Sequence, residues 1–135
     1  MNKPSFNKEK IINYWIESAD EDYETMLAMY DSKRLSWTLF VGHLVIEKLL
    51  KAYYIKVNND YPPFIHNLLR LAEKCKIELN EEDKLFFTTV TAFNINARYD
   101  DYKMSFHKKC TPEYTKYWME RIKDKKKWIK RQIKS

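Results

Sequence analysis

Between Trp37 and Val57 the chain reads WTLFVGHLVIEKLLKAYYIKV, and fourteen of these twenty-one residues are hydrophobic. Wound as a helix, they cover most of the circumference, so no face is left that suits water. Such a helix has to be enclosed by other elements, and this constrains the fold more than any other feature. Its few polar side chains are not scattered. His43, Glu47 and Lys51 recur every four residues and therefore line one narrow strip of the helix surface.

The punctuation agrees with an all-α architecture. One glycine and four prolines in 135 residues leave few places for tight turns, which favours long helices with short connections. The length suits one domain over residues 1–135, large enough to bury a core without metals or disulfides. Cys75 and Cys110 match no metal-ligand spacing, and two isolated cysteines fit a reducing compartment better than a disulfide scaffold. Neither a metal nor an organic cofactor is expected. The first residues, MNKPSFNKEK, are polar and lack an apolar targeting run. Glu47, Lys48 and Lys51 interrupt the apolar helix near its middle, which argues against a membrane span. The expectation is a cytoplasmic protein.

Periodicity places the other elements. A first helix is predicted over about Lys8 to Tyr30, with Ile11, Ile12, Trp15, Ile16, Ala19, Tyr23, Met26 and Leu27 at helical spacing and Glu17, Glu21 and Asp22 facing water. A short linker from Tyr30 to Leu35 makes a helical hairpin, with Ser36 as the expected cap of the central helix. Gly42 inside that helix costs roughly 1 kcal/mol against alanine, which suggests close approach by another backbone. The segment NNDYPPF ends the helix, because consecutive prolines remove donors and force extended neighbours.

A third helix is expected over about Ile65 to Cys75, packing Leu68, Leu69, Leu71 and Ala72. Asn80 caps a fourth through the Asp83 amide, and Leu85, Phe86, Val90 and Phe93 face inward until an end near Asn94 to Arg98. DDYKMSFHKKCTP reads as a loop with some irregular helix. Thr111 followed by Pro112 then starts the last helix, over about 112–134. Tyr114, Trp118, Ile122, Lys125, Ile129 and Gln132, with Trp128 and Ile133 beside them, define its packing side.

The net charge of +6 is concentrated at the end of the chain. Residues 116–135 hold nine Lys or Arg against two Asp or Glu, whereas residues 1–60 and 61–115 are close to balance. A basic amphipathic helix of this kind meets nucleic acid, an acidic protein or a membrane surface, or simply solvates a terminal helix and complements its dipole.

The chain resembles the HEPN domain family, the nucleotide-binding domain of higher eukaryotes and prokaryotes. The resemblance rests on Ala19, Asp20 and Leu27 in the first helix, HLVIEKLLKAYYI at His43 to Ile55, Pro63 with His66, Leu68 and Leu71, and Ala97-Arg98-Tyr99, covering roughly residues 12–101. It implies an up-and-down bundle of four to five helices, commonly a homodimer, often paired with a minimal nucleotidyltransferase and sometimes part of a toxin–antitoxin system. Ribonucleases of the wider family carry an R-x-x-x-x-H arrangement with a polar residue after the arginine. This chain departs from it: Arg98 is followed by Tyr99, and Arg98 to His107, like Arg34 to His43, is a spacing of nine.

From the residues themselves, a polar site is expected where His43, Glu47 and Lys51 are joined by Arg98. Together they would clamp a phosphate or acidic group while Tyr99 stacks on a ring. The competing reading is a structural network in which Glu47 pairs with Lys51 or Arg98 and His66 supports the turn after the prolines, since a carboxylate on so apolar a helix needs a partner in any case. His107 is expected to be exposed. Trp15, Trp37, Tyr53 and Tyr54 exceed what a small bundle needs, which predicts a twofold interface with Gly42 near it.

Three functions follow as alternatives. One is a noncatalytic module that binds a nucleotide or a partner. The second is a metal-independent ribonuclease toxin using Arg98 with His43, His66 or His107, since RNA cleavage needs an acid, a base and a cation at the phosphorane. The third is a nucleic-acid-binding protein led by the basic last helix.

Overall fold

A computed structural model describes residues 6–135, apart from the side chains of residues 100 and 101; the polar run at residues 1–5 lies outside it. The order is α1 (Lys8–Asp31), α2 (Leu35–Asn58), α3 (Leu68–Lys74), α4 (Glu81–Arg98), α5 (Asp100–Lys109) and α6 (Pro112–Lys134). The chain is all-helical over the described residues, with one short helix, α5, added to the five expected.

The apolar helix is the axle of the bundle. α1 and α6 flank α2 along much of its length, α4 and α3 close the remaining sides, and α5 touches it at one end. Leu39, Val45, Ile46, Leu49, Leu50, Ala52 and Ile55 of α2 are fully buried. Each large aliphatic chain enclosed in this way contributes about 1.5–3 kcal/mol relative to exposure, which is why this helix organises the rest.

Local chemistry fixes most of the helix ends. Asn7, Asn67, Asn80 and Thr111 each accept a hydrogen bond from a backbone amide in the first turn they precede. At Asn80 the cap is reciprocal: its Oδ1 accepts from Asp83 N at 2.8 Å, and Asp83 Oδ2 accepts from Asn80 N at 3.2 Å. With its one glycine inside α2, the chain uses Lys33, Asn59 and Lys76 at the left-handed positions just beyond helix ends. That conformation favours glycine because other residues crowd their own Cβ there.

Several expectations are corrected. Ser36 does not cap α2, which begins at Leu35 after Arg34 and has no side-chain cap. α3 starts only at Leu68, because Asn67 caps it and Ile65 and His66 belong to the non-helical segment after the prolines. In α4 the inward face carries Phe87 rather than Leu85, which is 64% exposed. Residues 86, 87, 90, 93 and 97 make the stripe. DDYKMSFHKK is a regular helix rather than a loop, and it docks through Phe106, whose ring lies 5.7 Å from that of Phe93.

Within the chain Gly42 is approached by side chains rather than by another backbone. A Cβ there would lie 2.6 Å from Ile122 Cδ1 and 3.2 Å from Met26 Sδ, so the glycine lets α6 and α1 close on α2. Trp15, Tyr53 and Tyr54 pack against the core of the same chain, which removes much of the surplus apolar surface that suggested a twofold interface.

Much of the α6 basic surface is also turned inward. Lys125 pairs with Asp83 at 2.7 Å, Lys130 with Asp20 at 3.0 Å, and Lys126 lies 3.6 Å from Asp20 and 4.3 Å from the centre of the Tyr23 ring. Lys56 donates to the carbonyls of Ile133 and Ser135, holding the end of α6. On α1, Asp22 pairs with Lys48 at 2.6 Å rather than only facing water. Among the described residues no helix is long and apolar enough to cross a membrane.

Candidate functional site

The four-residue spacing on α2 produces the predicted strip. His43 Nε2 lies 3.2 Å from Glu47 Oε1, and Lys51 Nζ donates to Glu47 Oε2 at 3.1 Å. His66, brought in by the segment after the prolines, adds its Nδ1 at 3.6 Å from the same Glu47 Oε1. Three cationic or imidazole groups therefore surround one carboxylate. Burial works to raise the Glu47 pKa, but His43 and Lys51 outweigh it and hold the carboxyl down at about 2.

α4 supplies the opposite wall. Phe40, His43, Leu44, Glu47, His66, Asn94 and Arg98 line a cleft of about 230 Å³. Arg98 sits one helical turn after Asn94 and donates from Nε to the Asn94 carbonyl at 3.1 Å. Its guanidinium is held 5.8 Å from the centre of the Phe40 ring and 5.5 Å from that of Tyr99. These contacts orient the group by its faces and one N–H, and its terminal amino groups stay available at the cleft.

His43 is the unusual member. It is 2% exposed; its Nε2 faces the Glu47 carboxylate at 3.2 Å, while its Nδ1 has no hydrogen-bond partner among the described residues. A buried polar atom left this way costs about 1–3 kcal/mol, and the imidazole lines the cleft.

Of the residues singled out in the sequence, His43, Glu47 and Arg98 meet in this cleft. Lys51 does not line it: its ammonium lies 5.0 Å from the centre of the Trp15 ring, on the far side of Glu47, where it balances the carboxylate. Tyr99 is exposed beside Arg98 but outside the lining. Glu47 pairs with His43, Lys51 and His66 and not with Arg98. Asn94 and Phe40 were missed; their one available signal is helical spacing, Asn94 one turn before Arg98 and Phe40 one turn before His43 and Leu44.

The thiols stand apart from this chemistry. Both cysteines are free and buried. Burial pushes Cys75 up to about 12, and it pushes Cys110 up to about 11 against the opposing effect of Lys109. Such thiols are poor nucleophiles at neutral pH. Among the described residues no group of three His, Cys, Asp or Glu is gathered so as to hold a metal ion.

The structure is an α2-centred helical bundle with a polar cleft between its apolar axle and α4. A family model for the HEPN domain matches residues 12–132, and the chain belongs to the HEPN domain family. Membership puts it in a family generally associated with nucleotides and RNA. Comparison with curated proteins and with solved structures finds no match.

Proposed function

We propose that this protein is a noncatalytic nucleotide-binding module whose cleft receives a phosphate group between His43, His66 and Arg98. The observation that carries the reading is the buried His43 imidazole, unpartnered at Nδ1 and lining one cleft with an arginine. Charge supports it. Glu47 is ionised but balanced by Lys51 at 3.1 Å, so the guanidinium sets the sign at the cleft, and that sign suits an anion. Tyr99, exposed beside Arg98, is positioned to cover a base or sugar.

Titration of the protein with AMP and with inorganic phosphate, followed calorimetrically, tests the reading. Wild type binds, Arg98→Ala weakens binding by about tenfold or more, as loss of a charge-assisted hydrogen bond predicts, and Lys127→Glu, exposed on α6, leaves it unchanged. Absence of binding by wild type, or an unaffected Arg98→Ala, contradicts the proposal.

The proposal extends to partners of this cytoplasmic module. A homodimer is supported by Ile95 and Tyr99, exposed apolar side chains on the turn that carries Arg98. Light scattering that gives 16.5 kDa at all concentrations rules it out. A separate minimal nucleotidyltransferase in a toxin–antitoxin pair is the partner we favour, and copurification of the tagged protein tests it.

A second reading, a metal-independent ribonuclease, is favoured by one observation: two imidazoles and a guanidinium line a single cleft. One imidazole would take the proton of the 2′-hydroxyl, the other would protonate the leaving 5′-oxygen, and Arg98 would stabilise the phosphorane. RNA cleavage in the presence of chelator, lost in both Arg98→Ala and His43→Ala, decides between the readings. A nucleic-acid role led by α6 is weaker, because Lys125, Lys126 and Lys130 are engaged within the chain.

A further inference from the structure

A second concavity lies at the corner where α1 turns into α2. Its volume is about 350 Å³, larger than that of the Arg98 cleft, and it is lined by Lys33, Arg34, Trp37, Lys103, Met104 and His107 together with Leu35 and Ser36. Three of these side chains are cationic and a fourth is an imidazole. Among the described residues no carboxylate lines it. Lys33 and Arg34 are exposed, and in the described residues the side chain of neither takes part in an ion pair or a hydrogen bond.

The floor is aromatic and partly open. Trp37 is 36% exposed, and the Lys103 ammonium stands 5.8 Å from the centre of its ring. A cation over an exposed indole is worth only about 0.5–1 kcal/mol, and lysine has a flexible stem. An incoming planar ring can take the indole surface while Lys103 moves onto that ligand's negative charge. Met104, 67% exposed, gives a soft apolar edge beside it. A π-surface flanked by mobile cations is the combination that binds single-stranded nucleic acid without reading its sequence.

The two concavities are joined by aromatic rings along one stripe of α2. Trp37 and Phe40 meet edge to face with centroids 5.5 Å apart, Phe40 lies 6.2 Å from the His43 ring, and the Arg98 guanidinium sits over Phe40. From Arg34 to Glu47 the helix rises about 20 Å at 1.5 Å per residue. One nucleotide does not bridge that length, but a short strand does.

We propose that the corner lined by Lys33, Arg34, Trp37 and Lys103 is a second binding site, and that the ligand class is single-stranded nucleic acid running from it to the Arg98 cleft. The inference rests on the phosphate-binding reading of that cleft and names its substrate class. Trp37 stacks one base, Lys33, Arg34 and Lys103 contact the flanking phosphates, and the strand crosses Phe40 before its next phosphate reaches Arg98 and the histidines.

The test is fluorescence anisotropy of the full chain with a labelled hexa-adenylate RNA, alongside calorimetry with AMP and competition by a hexaglutamate peptide. The hexanucleotide binds roughly tenfold or more tightly than AMP, which is the order of gain from stacking one further base. Lys33→Glu combined with Lys103→Glu, both at exposed positions, removes that gain and makes the log–log salt dependence shallower by about 1 to 1.5. Trp37→Phe keeps most of the gain and Trp37→Leu loses it, with circular dichroism reporting the fold of each variant.

The outcomes separate the two sites. If AMP binds but the hexanucleotide binds no better, or the double charge reversal has no effect, the corner site is overturned and the cleft reading stands. If the hexanucleotide depends on Lys33 and Lys103 but not on Arg98, the corner stands as a site of its own and the cleft reading falls. Hexaglutamate competing as well as RNA overturns base stacking and points to an acidic peptide instead. No binding of either nucleic-acid probe removes both.

Discussion

Lys51 Nζ donates to Glu47 Oε2 at 3.1 Å from one turn further along the same strip of α2, so the lysine fixes and neutralises a carboxylate whose other oxygen faces two histidines. This arrangement separates support from recognition: Lys51 holds Glu47 ionised, and Glu47 in turn sits against His43 and His66.

The acid limb of stability is the first consequence. The Glu47 pKa is lowered from 4.5 to about 2, so the folded state favours the ionised form. Its contribution is complete above the unfolded value and is lost as pH falls from about 4.5 to 2. The size is on the order of 3 kcal/mol for a shift of this extent. Urea denaturation between pH 2 and 6 should show wild type losing this amount and Glu47→Gln giving a flatter profile. Identical slopes would mean that the carboxylate is not held in this way.

Gly42 provides a packing test. Alanine there gains about 1 kcal/mol of helix propensity, but its Cβ would come within 2.6 Å of Ile122 Cδ1, and overpacking costs about 1–3 kcal/mol. The net expectation is a loss of about 1 kcal/mol in chemical denaturation. Ile122→Val removes the offending methyl, so the double variant should be more stable than the sum of the single effects. Simple additivity would show that α6 does not press on Gly42.

Lys76 follows α3 with φ 60, a conformation that costs a side-chain-bearing residue roughly 1–2 kcal/mol. Lys76→Gly relieves that cost against the greater freedom of glycine in the unfolded chain. A net stabilisation of about 0.5–1 kcal/mol is expected, seen as a higher Tm. A lower Tm would indicate that Lys76 is not in the left-handed region.

The cap of α4 should be separable from its tertiary anchor. Asn80→Ala removes the bond to the Asp83 amide at 2.8 Å and should cost about 1 kcal/mol, unchanged in 1 M salt. Lys125→Met breaks the part-exposed pair with Asp83 at 2.7 Å and should cost less, about 0–1 kcal/mol, with a salt-sensitive difference from wild type. Equal salt responses would contradict the assignment.

What could be read in advance follows the range of the interaction. Asn80, Thr111 with Pro112, and the paired prolines act within a few residues, and α4, α6 and the end of α2 lie close to where these signals put them. The same holds for His43, Glu47 and Lys51, since helical spacing alone makes them neighbours. α5 was not legible because its sequence carries no apolar stripe; it is held by Phe106 against Phe93, a contact that exists only once α4 is in place. The inward turn of Phe87 in place of Leu85 and the capture of Lys125 by Asp83 have the same origin.

The sequence by itself determined that Trp37 to Val57 must be enclosed by other helices, because its apolar residues leave no face for water, and that its polar residues share an edge. Only the tertiary structure decided that His66 meets Glu47, that Arg98 faces His43 across one cleft, and that Lys33, Arg34 and Lys103 gather round Trp37. Those groups come from segments far apart in the chain, and no local rule of spacing brings them together. Packing of α4 and α5 on the buried axle does.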